Sequence, residues 1–300
     1  MHLHPSMSFT PGTALPPATW HAAFTEAFAD YLIGPFTLTL AQWPGFLARQ
    51  GVSLSESRAT VDAGGQITAF ALVAPRPAVG RWRLAVMGAR PAARGSGAAA
   101  GLLADFLARA AAAGVGRVEL EVFAQNTRAV RLYEKHGFAV AQGLFGHELA
   151  PGAGPACAAS PAATTPALAA HDVALDEAAA WLDAAEQRVP DLPLQVGAGS
   201  LRAAEQAAPG SLAAARAGDA QIVWSSPAEP AAVVVHSLVD PSAGQAGAEA
   251  LLRALQARHP GRTLRVPPLQ RDDLGGLAWQ RLGAARQRLH QWLMTRPLAA

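Results

Sequence analysis

The sequence predicts an α/β (α+β) protein built as two tandem copies of a mixed, mostly antiparallel sheet flanked by helices. Three observations carry that expectation. Runs with helix-like and strand-like apolar spacing alternate along the 300 residues. The stretch "APGAGPACAASPAATTPALAA" at 150–170 has no apolar periodicity and divides the chain into parts of comparable length. The second part then repeats the later order of the first, as an internal duplication would. The expected division is a flexible N-terminus at 1–17, a first domain at 18–149, a linker at 150–166 and a second domain at 167–300.

The first domain opens with a helix near 18–31, where Trp20, Phe24 and Phe28 recur every four residues and share one face. A short helix over 41–50 follows. "SRATVDAGGQITAFALVAP" reads as a hairpin turning at Gly64-Gly65, and "RWRLAVMGA" as a third strand. Residues 98–113 are an alanine- and leucine-rich helix stopped by Gly114. "RVELEVFA" is the next strand, "NTRAVRLYEKHG" the next helix, and "FAVAQGLFGHEL" closes the domain. In the second part, "SLAAARAGDAQIVWSS" is a hairpin and "AAVVVHSLVDP" a long strand. The helix "GAEALLRALQARHP", the strand "RTLRVPPL", the helix "DDLGGLAWQRLG" and the strand "ARQRLHQWLMTRPL" complete it.

Composition narrows the function classes. Hydrophobic residues make up 51% and charged residues 15%, which suits a well-cored folded protein rather than a disordered one. The net charge is +2, and 24 basic residues, of which only Lys135 is lysine, are spread along the chain. Without clustering they make no nucleic-acid footprint. The single cysteine, Cys157, excludes an internal disulfide and a cysteine-rich metal site. His2 and His4 stand alone on the N-terminal end, so no metal is expected. The start "MHLHPSMSFTPG" lacks the basic and apolar regions of a signal peptide, and no run nears the ~20 apolar residues of a membrane span. A cytoplasmic protein without membrane contact is expected.

The stretch with the most chemistry is "ARPAARGSGAAAGLLADFL" at 89–107. A glycine loop between a strand and a helix offers an anion the unpartnered first-turn N–H groups and the positive end of the helix dipole. Gly95, Gly97 and Ala99 keep that surface bare, Ser96 sits between the glycines, and Arg94 adds a charge-assisted contact. Further on, Asn126 caps a helix that presents Tyr133 shortly before the stop at Gly137.

Together, Arg94 to Ala99 and Asn126-x-x-Ala129-x-x-Leu132-Tyr133-x-x-x-Gly137-Phe138 resemble the GNAT superfamily of acyl-CoA-dependent N-acetyltransferases over about 18–149. The resemblance implies acetyl-CoA as co-substrate. Its pyrophosphate would lie on Arg94, Gly95, Ser96, Gly97, Ala98 and Ala99, and its pantetheine arm along Met87, Gly88 and Ala89. Asn126 and Ala129 would hold the arm and the helix start. The reaction it implies is attack of a primary amine on the thioester. Tyr133 is the candidate acid for the leaving thiolate, and Glu121 the candidate base, with Glu119 on the same strand face as the alternative. The acceptor is an amine-bearing small molecule or protein N-terminus; Tyr31, Phe36, Trp43 and His147 are candidate lining residues. Oligomeric state is left open. A non-catalytic acyl-CoA-binding regulator or partner-binding tandem protein is the alternative.

The second copy is expected to be degenerate. No arginine follows Pro241 in "VDPSAGQAGAEALL", Glu249 brings negative charge to the helix start, Trp279 stands for Tyr133, and Asp272 stands for Asn126.

Overall fold

The computed structural model describes residues 8–152 and 168–298. Cys157, His2, His4 and most of the predicted linker lie outside the described residues. The rest is a mixed α/β fold whose strands are mostly antiparallel and flanked by helices. In chain order the elements are β1 (Thr10–Pro11), α1 (Pro17–Ala27), α2 (Trp43–Arg49), β2 (Ser53–Val61), β3 (Ile67–Arg76), β4 (Arg81–Ala89), α3 (Ala98–Ala112), β5 (Arg117–Phe123), α4 (Thr127–Lys135) and β6 (Ala139–Leu149). They continue as β7 (His171–Val173), α5 (Leu175–Arg188), α6 (Ala198–Ala207), β8 (Leu212–Ala217), β9 (Ala220–Ser225), β10 (Val233–Val239), α7 (Ala246–Arg258), β11 (Leu264–Gln270), α8 (Gly276–Arg281) and β12 (Ala285–Pro297). The elements β7, α5 and α6, which the sequence reading does not contain, make the second part a repeat of the whole order.

Two compact units form, and they do not coincide with the two parts of the sequence. One comprises Met1–Val122, Asn126–Ala139 and Met294–Ala300; the other comprises Phe123–Gln125 and Val140–Leu293. Each takes its closing strand from the other part of the chain. In the second unit β6 pairs antiparallel with β11, Leu149 opposite Leu264 and His147 opposite Val266. In the first, the segment after β12 returns beside the start of β5, where Leu298 N–H donates to Gly116 C=O at 3.0 Å.

In the first unit β1 to β4 are antiparallel neighbours and β4 runs parallel to β5. The core face of α1 is the aromatic stripe read from the sequence: Trp20, Ala23, Phe24, Ala27 and Phe28 are buried against Phe70 and Leu72 of β3. β3 is buried almost continuously because α1 and α3 both pack on it, so its side chains show no polar alternation. The second unit orders its strands β7-β8-β9-β10-β11-β6, with β10 and β11 parallel. Two apolar clusters hold it: one joins α7 and α8 to the sheet, the other joins α5 and α6 to it.

Candidate active site

The site begins with a register slip. On β3 and β4, Leu72 lies opposite Val86 but Val73 lies opposite Leu84, which leaves Ala85 as an extra residue on β4. Such a bulge bends and twists its strand. β4 and β5 pair from Arg81 and Arg117 only as far as Leu84 and Leu120, so their ladder ends just before the bulge. Beyond that point Met87, Gly88 and Ala89 keep β3 on one edge while the other carries no ladder to β5. Gly88 has no room for a side chain, since a Cβ there would meet the Phe70 ring at 2.9 Å and Ala27 at 3.2 Å.

The next turns lead to the N-terminus of α3. Gly95 (φ +85°) and Gly97 (φ +88°) both adopt the left-handed conformation that glycine enters without strain. Gly97 is the cap of α3, and the first helical bond runs from Gly101 N–H to its carbonyl at 3.0 Å. The amides of Ala98, Ala99 and Ala100 precede that bond. Ser96 Oγ accepts from the first of them at 3.3 Å, and no acidic residue occupies the first turn. Arg94 is already engaged: Nη1 and Nη2 donate to Asp30 at 2.6 and 2.7 Å, and Nη2 also donates to Ala27 C=O at 3.0 Å. That guanidinium holds the Asp30 carboxyl below its ordinary value.

α4 brings the second motif to the same unit. Asn126 caps it, Oδ1 accepting from Ala129 N–H at 3.2 Å. The side-chain amide of Asn126 also hydrogen-bonds the Tyr31 phenol. Tyr133 is buried with its ring edge-on to Phe138 at 6.0 Å. Burial raises the Tyr133 phenol above its usual range, and the neighbouring Tyr31 adds to the rise, so Tyr133 keeps its proton at neutral pH. These are the chain's only two tyrosines.

The two glutamates of β5 have different surroundings. Glu119 is fully buried and held by Arg76 and by Arg81 at 3.0 Å. Glu121, one step past the end of the ladder, meets Arg83 through Oε2 at 2.6 Å from Nε and 2.5 Å from Nη2. Its Oε1 is buried without a partner. Burial raises the Glu121 carboxyl, outweighing the attraction of Arg83. With both oxygens of Glu119 committed, Glu121 is the one with an oxygen to offer.

Residues 18–138 match the acetyltransferase (GNAT) family. The first unit carries a GNAT domain. Among curated proteins no sequence matches the chain. Solved structures share its fold: a GCN5-related N-acetyltransferase from Sphaerobacter thermophilus is 17% identical with TM-score 0.62, over 99% of this chain and 97% of that one. One from Anabaena variabilis is 15% identical with TM-score 0.64, over 97% and 73%. A tandem GNAT protein of the clavulanic acid biosynthesis pathway is 15% identical with TM-score 0.55, over 98% and 99%. Those likenesses show a fold shared over nearly the whole chain, while the family match itself covers residues 18–138.

The second unit repeats the strand slip and the short parallel ladder. β10 and β11 pair parallel for only two residues, and β10 slips register at His236 as β4 does at Ala85. Past the slip, however, the Gln270 side-chain amide donates to the carbonyls of Leu238, Arg271 and Leu274 at 3.1–3.2 Å. The hollow beside it is lined by His236, Leu238, Gln270 and Leu274. At the start of α7, buried Asp240 accepts from Ala248 N–H at 2.8 Å and from Ser242 N–H at 2.9 Å. Sequence reading missed Asp240 and Gln270. Glu249, which it singled out, stands in the first turn of α7 as expected and pairs with Arg253 at 2.7 Å. Trp279 is fully buried and stacks on His147 at 6.0 Å, while Asp272 binds Arg286 and does not cap α8.

Among the described residues no group of three or more His, Cys, Asp or Glu side chains converges as a metal site, and no helix is long and apolar enough to cross a membrane.

Proposed function

We propose that the first unit is an acetyl-CoA-dependent N-acetyltransferase that moves an acetyl group to a primary amine by direct attack. The observation that carries this reading is the run from β4 to α3. Bare backbone at Met87–Ala89, two left-handed glycines and an acid-free helix start lie in sequence beside a strand that has left its neighbour. Pyrophosphate suits Gly95 to Ala99, where the Ala98–Ala100 amides and the helix dipole face an anion. Arg94 joins it by exchanging Asp30 for phosphate, which accepts the same bidentate fork. Pantetheine suits the open edge of Met87, Gly88 and Ala89, with Asn126 and Ala129 at the start of α4.

Bound acetyl-CoA supplies the activated thioester; the chain supplies proton handling and charge. A main-chain N–H near Met87 to Ala89 stabilises the negative charge that grows on the carbonyl oxygen. Glu121 Oε1 takes the proton of the attacking amine, directly or through a water. Its raised affinity for protons favours that step, because a base works best with a pKa near the working pH. Tyr133, kept protonated by burial, returns a proton to the departing thiolate. The second unit does no transfer, because Asp240 and Gln270 take the positions that a cofactor's phosphate and amides would need.

One observation favours the rival reading, a non-catalytic acyl-CoA binder: Arg83 neutralises Glu121 in a buried pair. The experiment that separates the two is calorimetry of acetyl-CoA with the full chain and with Gly97→Glu, followed by thiol release with amines. Transfer predicts one site, lost in Gly97→Glu, and turnover that falls in Glu121→Gln while binding persists. Binding without turnover of any amine would leave the regulator.

A further inference from the structure

Glu121 owes its free oxygen to Arg83. In the parallel ladder Arg83 of β4 lies opposite Glu119 of β5. Its guanidinium nevertheless reaches past that partner to Glu121, the next residue on the same face of β5 and one step beyond the last pair, Leu84 and Leu120. The ion pair therefore joins the two strands where their ladder has ended.

Two details set this pair apart. Glu119 gives one oxygen to Arg76 and the other to Arg81, so both are spent. Arg83 instead sets Nε and Nη2 on the single oxygen Oε2, at 2.6 and 2.5 Å, and leaves Oε1 buried without a partner. An arginine fork ordinarily takes both oxygens of a carboxylate, and a buried oxygen left over costs free energy. The fork is also held from behind. Its third nitrogen, Nη1, donates to Gln50 Oε1 at 3.2 Å. Gln50 closes α2, its N–H donating to Phe46 C=O at 3.1 Å, and Trp43 and Phe46 fix that helix in the aromatic core. Arg83 is 1% exposed, and a swing onto the second oxygen would break its bond to Gln50.

Charge acts through the same contact. The charged groups that face Glu121 among the described residues are Arg83 on β4, Arg76 at the end of β3 and Glu119 on its own strand. Burial and Glu119 favour the protonated acid; Arg83 and, less strongly, Arg76 favour the carboxylate. Without Arg83 the acid would keep its proton to still higher pH and be a poorer base at pH 7.

Resting on the transferase reading above, we propose that Arg83 is a positioning residue for the reaction: it pins Glu121 by Oε2, keeps Oε1 for the proton of the attacking amine, and is itself steadied by Gln50. The test follows the Glu121 carboxyl directly, by carbon-13 NMR of the full-length protein labelled at its glutamate carboxyls, with Glu121→Gln assigning the signal. Turnover is followed by thiol release from acetyl-CoA with 2-phenylethylamine, spermidine and alaninamide as probes. Arg83→Met should move the Glu121 titration upward by about one pH unit or more and lower kcat at pH 7 by up to about tenfold for each unit, with the acetyl-CoA Kd unchanged. Arg83→Lys keeps the charge and loses the fork, so the titration should stay near that of the wild type while kcat still falls. Gln50→Ala should lower kcat by about threefold or more without moving the titration. Arg83→Met leaves a buried carboxylate without its partner; where it fails to fold, Arg83→Lys and Gln50→Ala decide. An unmoved titration in folded Arg83→Met overturns the proposal, as does wild-type kcat in both Arg83→Lys and Gln50→Ala. A lower Tm with titration and kcat unchanged would make Arg83 a structural partner alone and overturns it too. The titration is read without turnover, so failure of every probe amine with the wild-type chain is a distinct result, which removes the transferase reading and this proposal with it.

Discussion

The starts of α3 and α7 are built on one plan and end in opposite states. Each follows a strand with a register slip, a proline and a short loop, and each leaves amides that need a partner. Before α3 the strand ends in Ala89-Arg90-Pro91; before α7 it ends in Val239-Asp240-Pro241. Asp240 folds onto its own helix and satisfies Ala248, while Arg90 turns away to Glu26 at 3.1 Å. A helix N-terminus is an anion site only until the chain supplies the anion. One reversal of charge at the end of a strand thus accompanies the change from a helix start without a carboxylate to one that the preceding aspartate caps.

The largest expected effect is chemical and confined to the first unit. Glu121→Gln should lower turnover by about 10²–10⁴ with acetyl-CoA affinity retained, read by thiol release and calorimetry. An unaffected rate would return the base to another group and place the regulator reading ahead. Gly97→Glu comes next. It forces a side chain into a left-handed position and places a carboxylate against the pyrophosphate, so acetyl-CoA affinity should fall by about 100-fold. Asp240→Ser would sharpen the comparison from the other side. It removes charge-assisted bonds from a buried start of α7 and should cost about 2–4 kcal/mol in urea unfolding. Because Gln270 still fills the cleft, one acetyl-CoA per chain should bind as before; two would mean that Asp240 alone closes the second unit.

A smaller effect follows from His147, fully buried with neither ring nitrogen partnered among the described residues. Burial, with Arg286 adding to it, lowers its pKa to about 4. The folded form therefore holds it neutral while the unfolded chain protonates near 6.5. Stability should be full above pH 6.5 and fall as the pH drops toward 4, by up to about 3 kcal/mol. His147→Phe should flatten that slope in urea titrations at pH 4, 5 and 7; an unchanged slope would assign it to carboxylates instead. Smallest is Asp30→Asn. It frees Arg94 at an exposed pair, and acetyl-CoA affinity should rise up to about fivefold with little change in stability. No rise would mean that Arg94 does not reach the phosphate.

Much of the fold was legible because it rests on local chemistry. The stripe of Trp20, Phe24 and Phe28, the turn at Gly64-Gly65, the cap at Asn126 and the left-handed Gly97 depend on spacing and on backbone freedom over a few residues. The motif positions were legible for the same reason. What Glu121 and Arg94 would touch was not, because their partners Arg83 and Asp30 come from elements brought close only by folding.

By itself the sequence determined most helices and strands outside β7, α5 and α6, that the later order recurs, and which loop carries the left-handed Gly95 and Gly97. Tertiary structure decided that β6 closes the second unit and the end of β12 returns to the first. It also decided that Glu119 is spent on two arginines while Glu121 keeps an oxygen, and that Asp240 and Gln270 turn onto backbone groups of their own unit. Spacing along the chain records local preferences, whereas a strand edge or a buried charge takes whichever partner folding places within about 3 Å, and that choice is made by the whole molecule at once.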